Sequence, residues 1–521
     1  MGTDTVIKER SKRTRRGARS AVAALGLVLA MGILSAPSAR ADTAVARVAL
    51  SGGLDRLDPT MSANGTDLVV MSQIYETLLE LDPKTGELKP KLAESFKATS
   101  PTVWEIKVRK DVKFHDGTPL TAEDVKYTID RILTKDLASP HYSQLTSISA
   151  VRVKDSHTVE IETKQPDPVL MRRMQPIGGS GRVFIVSKAH FEKHKPEELS
   201  QVPMGTGPYK LESWVKGASV TLVRNNDYWG KAPEVEKGVY TFIPENSTRV
   251  NALLQGEVDV IQRLPIADVD RVKKADNTHV VASPNGLVHT LLLDSTKPPF
   301  DDLNVRKAFA HALDTEDMVD GLLGEYGRVL GVPLGPNVLQ FDSSIKPYAY
   351  DPELSKKLLQ GKAPIKLNTF TSDGRYVNDR DFYQVINSQL GQVGFEITPQ
   401  TLEWGRFINM MQNRSGGPFY IIGWDFGEGD ASKMNSFLQS TSALSVTQDK
   451  EYDRLVGLAG EEIDETKRTE IWKQVQKYVH DQYFVAAVWQ ASSLYGFSKK
   501  LDWEANFGEN LALSEIKVVK P

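Results

Sequence analysis

Apolar and polar residues alternate along some stretches of this chain and recur at helical spacing along others. From Trp104 to Val108, the apolar Trp104, Ile106 and Val108 alternate with Glu105 and Lys107. That is the pattern of a strand with one face in a core and the other in water. Asp116-Gly117 then predicts a tight turn, because glycine tolerates positive φ and an aspartate carboxylate can accept from the backbone two residues on. Thr121 stands three residues before Asp124 at the head of the run Val125, Ile129, Ile132, Leu133. This reads as a helix capped by the threonine hydroxyl, with acidic groups at its positive end. The same reading predicts strands at residues 45–50, 151–163, 239–243, 258–261, 291–293, 395–401 and 419–422, and marks 485–488 and 495–497 as further apolar runs. It predicts helices at 71–81, 189–197, 248–256, 304–314, 382–390, 407–411 and 461–482, and Asp351 at N-cap with Pro352 at N1 opens one more. Strand–helix–strand units of this kind imply α/β lobes.

A chain of 521 residues exceeds what one hydrophobic core organises, so two or three domains of about 100–200 residues each are expected. With 40% hydrophobic and 25% charged residues the composition is that of a soluble globular protein, except at the N-terminus. There, Lys8, Arg10, Lys12, Arg13, Arg15, Arg16 and Arg19 precede an apolar run at residues 21–34, and Ala39-Arg40-Ala41 supplies small residues at −3 and −1. Residues 1–41 therefore read as a secretory signal peptide cleaved near Ala41. The apolar run falls short of the ~20 residues that span a bilayer. Arg15-Arg16 leaves twin-arginine export open beside Sec, which Gly17 and Ala18 favour. The chain has no cysteine, which excludes disulfides and a lipid-bearing cysteine and points to a free periplasmic protein, not a lipoprotein. The net charge is −3, and removing the 8 basic and 2 acidic side chains of residues 1–41 leaves −9. Such a charge argues against nucleic acid or anionic lipid as partner.

Catalytic signatures are absent from the sequence: there is no G-x-S-x-G, H-E-x-x-H, Walker loop or cysteine nucleophile. Gly178-Gly179-Ser180-Gly181-Arg182 has the composition of an anion-binding nest, but also of a plain loop. His190 and His194, spaced i, i+4, stand among Lys188, Glu192, Lys193 and Lys195, which reads as a solvated face more than a metal site. No metal or cofactor is expected. Binding chemistry is better represented in the second half. Leu402-Glu403-Trp404-Gly405-Arg406-Phe407 and Ile421 to Asp430 each place an indole beside acidic and glycine residues, after a strand whose end would face a cleft. Trp404 and Trp424 offer flat apolar walls or, equally, core packing; Asp425, Glu428 and Asp430 offer carboxylates for an ammonium group.

Several blocks carry a resemblance. Leu92-Ala93-Glu94-Ser95 followed by residues 104–125, Leu57-Asp58-Pro59, residues 74–78 (IYETL), residues 205–211 (GTGPYKL), residues 224–229 (RNNDYW) and residues 304–314 together resemble the family 5 extracellular solute-binding proteins, the peptide, nickel and opine receptors of bacterial ABC importers. The resemblance covers residues 45–515 and implies a two-lobed α/β periplasmic binding protein fold, of the large type II class with an extra accessory subdomain in the first lobe. The division it suggests is a discontinuous lobe I (42–89, 202–296, 496–521), an accessory subdomain (90–201) and lobe II (297–495). It implies a monomeric ligand trap without catalysis, whose partners are a small-molecule or short-peptide ligand and the permease membrane subunits. The opening block is expected to mark the fold, not to touch ligand.

Peptide-binding relatives carry an aspartate after Gly-Trp for the ligand's amino group. Counting from Trp424 that position is Gly427, and counting from the following helix it falls near Asp430. Arg375 and Arg380 stand where relatives offer a carboxylate-binding arginine, though either can pair with Asp373, Asp379 or Asp381. Opine, sugar-conjugate or metal-chelate ligands stay open beside peptides. So do a hydrolase and a sensory or chaperone role on the same scaffold.

Overall fold

The computed structural model describes residues 44–82, 85–175, 183–372, 375–376, 378–413, 415–426, 429–505 and 511–519. Residues 1–41 and 178–182, to which the export signal and the nest were assigned, lie outside the described residues, as do Gly427 and Glu428. None of the described helices is long and apolar enough to cross a membrane.

One sheet runs through most of the chain. From one edge its strands are Phe395–Leu402, Ile365–Ser372, Phe419–Asp425, Thr278–Leu293, Val485–Ser498, Val260–Gln262, Val45–Leu50, Lys237–Phe242, Ser219–Arg224 and Tyr209–Val215, with Gly327–Val329 paired onto Val485–Ser498. Val45–Leu50 is parallel to both its neighbours, and Ile365–Ser372 is parallel to both of its own. Each parallel group sits at the centre of one lobe, with helices on both faces. Phe419-Tyr420-Ile421-Ile422 is buried throughout because its alternate residues enter two different cores, Tyr420 and Ile422 on one face, Phe419 and Ile421 on the other.

A separate four-stranded antiparallel sheet, in the order Ala93–Ser100, Val103–Val108, Thr158–Thr163, Ile148–Asp155, carries the opening block. Ile106, Val108, Val125, Ile129 and Ile132 meet in its core. The turn and cap form as expected: Gly117 has φ +89°, Asp116 Oδ1 accepts from Thr118 N at 3.0 Å, and Thr121 and Asp124 form a capping box ahead of Ala122–Leu133.

Five expectations change. The helix expected at 189–197 is two short ones, Lys188–Lys193 and Pro196–Leu199, because Pro196 at N1 starts a new turn. The helix expected at 71–81 is Gly65–Ile74, capped by Asn64, followed by the strand Leu79–Leu81. It stops at Tyr75 because the 205–207 loop covers its last carbonyls, Gly207 N donating to Ile74 O at 2.8 Å. The strand expected at 151–163 is a hairpin broken where Asp155 Oδ1 accepts from His157 N. The helix expected at 461–482 starts at Glu465, capped by Asp464, and a separate helix, Lys450–Glu461, precedes it. The short strand expected at 291–293 and the apolar runs 485–488 and 495–497 are parts of two long strands, of 16 and 14 residues.

Those two strands pair antiparallel along their length and join the lobes. Val485–Ser498 meets Val260–Gln262 through residues 495–497 and Gly327–Val329 through residues 489–491, while Thr278–Leu293 meets Phe419–Asp425 from Leu287 onward. Between the two zones the register slips: Pro284 faces Ser492 and Val288 faces Gln490. A bulge there gives the connection a point of bending.

Candidate functional site

In the second lobe, three neighbouring strands run the same way and end together: Ile365–Ser372, Phe395–Leu402 and Phe419–Asp425. Ligands of α/β sheets bind outside such carboxyl ends. The loops that leave them carry Arg375 and Tyr376, Trp404, and Asp425 with Phe426.

The first loop is held by Asp379, a buried residue whose Oδ2 accepts from Arg375 N at 2.9 Å and Tyr376 N at 3.2 Å, while Oδ1 accepts from Arg380 N at 2.9 Å. Asp379, read from sequence as an ion-pair alternative for the two arginines, binds their backbone and shapes the turn. The Arg375 guanidinium is then exposed, 5.0 Å from the Trp404 ring and 5.6 Å from the Tyr376 ring. A cation stacked on aromatic faces is steered without being neutralised. Trp404 is half-buried, edge-on to Tyr376 at 6.0 Å and stacked on Phe407 at 5.8 Å. Its position is set by Glu403, which caps Trp404–Gln412 by accepting from Gly405 N and Arg406 N. Arg380 is exposed on the first turn of Asp379–Gly391.

Tyr376 reaches across the strand ends and donates from its hydroxyl to Gly423 O at 3.3 Å. Only glycine allows this approach: a Cβ at Gly423 would lie 2.8 Å from the Tyr376 ring. Beneath it, His289 meets Tyr376 edge-on at 5.0 Å and stacks on Trp489 at 5.4 Å, and burial pushes its pKa down to about 4. Tyr376, His289 and Trp489 escaped the sequence reading. The legible signal was the small Gly423 beside Trp424 in an otherwise bulky strand.

The acidic candidates separate. Asp425 is half-buried at the strand end, paired in register with Leu287 beside the slip in the crossing strands. Asp430 is fully buried, and Arg468 Nη1 and Nη2 donate to its two oxygens at 2.6 and 2.7 Å; Ser432 N and Gln340 Nε2 add further bonds. Burial alone would raise its pKa, but the Arg468 guanidinium holds it well below the usual carboxylate range. Expected as a cation holder, its carboxylate is instead spent on Arg468, because a buried carboxylate needs an internal partner. Trp424, expected as an aromatic wall, is only 8% exposed and stacks on Phe437 at 4.7 Å within the core. Its Nε1 has no hydrogen-bond partner among the described residues. The structure thus brings Arg375 and Trp404 together, links them through Tyr376 to the strand of Asp425, and sets Arg380, Trp424 and Asp430 apart.

His190 and His194 lie 4.2 Å apart, each bonded to a carbonyl, Val202 O and His190 O. Among the described residues no group of three or more His, Asp or Glu side chains is placed to hold a metal ion.

The arrangement suits the capture of a small solute with a carboxylate end. The family model for bacterial extracellular solute-binding proteins, family 5 (middle), matches residues 87–445. The dipeptide-binding protein of Escherichia coli K12 is 25% identical over 497 residues, covering 89% of this chain and 92% of that protein. The glutathione-binding protein GsiB of the same organism is 26% identical, covering 88% and 91%. Among solved structures, HbpA2 from Haemophilus parasuis superposes with a TM-score of 0.83 at 22% identity, over 91% of this chain and all of that one. The Agrobacterium protein MoaA in complex with mannopinic acid does so with a TM-score of 0.71 at 24% identity, over 92% and 100%. The structural likenesses carry the fold: two lobes of α/β type.

Proposed function

This chain belongs to the family 5 bacterial extracellular solute-binding proteins, and from that premise we propose that it traps a peptide-like or opine-like solute between its lobes and hands it to the membrane subunits of an ABC permease. The observation that carries the reading is the Arg375 guanidinium, exposed over Trp404 and Tyr376 at the strand ends of the second lobe. A planar fork in that setting matches a carboxylate bidentately. Asp425, at the end of the neighbouring strand, completes the candidate ligand surface. Asp430 acts behind it, anchoring the loop that follows Trp424. In the relatives the bound molecules are named as dipeptides, glutathione and mannopinic acid. All three carry a carboxylate near an amine or amide nitrogen.

Binding between lobes joined by two long strands works by closure: ligand contacts with both lobes favour the closed population, and the register slip at residues 284–288 is where bending concentrates. The chain works as a monomer, exported to the periplasm after loss of residues 1–41, and binds and releases its solute unchanged. The division into lobe I, accessory subdomain and lobe II follows the boundaries given above, with the crossing strands shared between the lobes.

The test is thermal denaturation and native mass spectrometry of the exported protein, as purified and with a panel of di- and tripeptides, opines, sugar conjugates and metal chelates. A rise in Tm with a 1:1 mass shift for a carboxylate-bearing solute is expected. A panel that leaves Tm unmoved, or turnover of a bound peptide, overturns the reading.

A further inference from the structure

Three arginines of the described residues have their pKa lowered by burial: Arg249, Arg306 and Arg328. Arg249 is saturated, and Arg306 spends its Nε and Nη1 donors on carbonyls. Arg249 donates to the carbonyls of Gln262, Ile243, Pro244 and Arg263 and to Asn246 Oδ1, and Arg306 to those of Gln482, Phe300 and Asp301. Arg328 differs. Its Nε and Nη2 both donate to one atom, the Gln490 Oε1, and among the described residues no carboxylate pairs with it. A guanidinium has five N–H donors, so most of its capacity is left over. Solvent nonetheless reaches this side chain, and enough protein surrounds it to disfavour its charge. The two facts together describe a partly surrounded cation with no counter-charge among the described residues.

The place is the junction of the lobes. Arg328 lies on Gly327–Val329, paired with Gln490 where the crossing strands slip register, so the two side chains share a face. Gly335 packs beside them; a Cβ there would meet Asn337 Oδ1 at 2.6 Å and Gln490 Nε2 at 2.9 Å. Asn337 is 6% exposed; its amide nitrogen donates to Phe426 O at 3.2 Å, but its Oδ1 has no partner among the described residues. A buried amide oxygen without a donor costs stability, which a ligand N–H can return. The Asn337 backbone also touches both lobes' loops: a Cβ at Gly86 would meet its carbonyl at 2.9 Å, one at Gly429 at 3.5 Å. Arg172 Nη1 joins the same two loops through Gly86 O at 2.7 Å and Gly429 O at 3.4 Å.

We propose that Arg328 receives a carboxylate of the bound solute whose neighbouring N–H reaches Asn337 Oδ1, so that the protein selects acidic ligands by a second anion subsite apart from Arg375. This rests on the receptor reading above. The fork of Arg328 grips the carboxylate through the donors that Gln490 leaves free, and Gln490 orients it. A neutral amide in the carboxylate's place strands the cation, so discrimination between the two is expected to be strong.

Titration calorimetry on the exported protein tests it with matched probes: Ala-Glu against Ala-Gln, and N-acetylglutamate against N-acetylglutamine. The wild type is expected to prefer the acidic member of each pair. Arg328→Gln should lower affinity for it at least about tenfold while leaving the amide twin within about twofold, and Arg328→Lys should recover part of the loss. The thermal midpoints of both variants serve as the folding control, since Arg328 is exposed. Equal affinity for both members, or an equal loss on both, overturns the second subsite and leaves the receptor reading standing. If none of the four probes binds the wild type while the wider panel yields another ligand, the acidic selectivity falls alone. If nothing binds, both fall.

Discussion

Two polar assemblies of this molecule contrast sharply. In the first lobe, Glu76 is 2% exposed and its carboxylate accepts from Thr206 Oγ1 and Trp229 Nε1 at 2.9 Å and from Tyr228 Oη at 2.8 Å. Three separated sequence blocks, residues 74–78, 205–211 and 224–229, thus meet on one side chain. His115 of the opening block bonds Gly207 O at 3.0 Å beside them, and Asp58 of Leu57-Asp58-Pro59 pairs with Arg131 at 3.0 Å. Every group is answered from within. At the second lobe's strand ends and at the junction of the lobes, by contrast, the Arg375 and Arg328 guanidinia meet rings and an amide, and among the described residues no carboxylate pairs with them and the Trp424 Nε1 and Asn337 Oδ1 find no partner. The closed nodes hold the fold together, and the open ones are the groups on which the proposed ligand reading rests. On the proposed reading, family hallmarks and ligand specificity occupy different residues.

Asp430 gives the strongest test of that division, since it stands in the ligand-side sequence but has the closed environment of Glu76. Asp430→Ala strands the buried Arg468 charge and should cost about 3–5 kcal/mol in urea denaturation. Unchanged stability with lost ligand binding would move Asp430 to the open class. Glu76→Ala leaves three buried donors unanswered, and a loss of roughly 3 kcal/mol is expected by the same measurement.

Acid separates the classes less than it marks burial. Burial pushes His115 and His289 down to about 4. Both are neutral in the folded state, while the unfolded chain takes up protons as pH falls below about 6.5. Stability is thus full above pH 6.5 and lost between pH 6.5 and 4, by at most about 3 kcal/mol per histidine. Denaturation at stepped pH should show this limb, and His289→Phe should make it shallower. The smallest effect on stability belongs to the open class: Arg375→Ala should change it by less than about 0.5 kcal/mol yet weaken a carboxylate ligand about tenfold by calorimetry. A variant that melts instead would show Arg375 to be part of the closed structure.

Much of the fold was legible because its signals are local. The strand at Trp104 to Val108, the Asp116-Gly117 turn, the Thr121 cap and the Asp351-Pro352 helix start depend on a few neighbouring residues, and all stand as read. The site was legible only in outline. Trp404 and Arg375 do meet, but nothing local to Asp430 distinguishes it from Asp425. The distinguishing partner, Arg468, is 38 residues away. His289 and Arg328 were unremarkable in sequence for the same reason, since what marks them is burial and the company brought by distant strands.

Period and capping by themselves determined where most helices and strands begin, and the repeated blocks of sequence determined the family. Tertiary structure alone decided that three short apolar runs belong to two crossing strands, where the register slips between them, and which charges are matched inside. Periodicity reports only which face of a segment is apolar, whereas strand pairing and charge compensation depend on contacts between residues far apart in the chain.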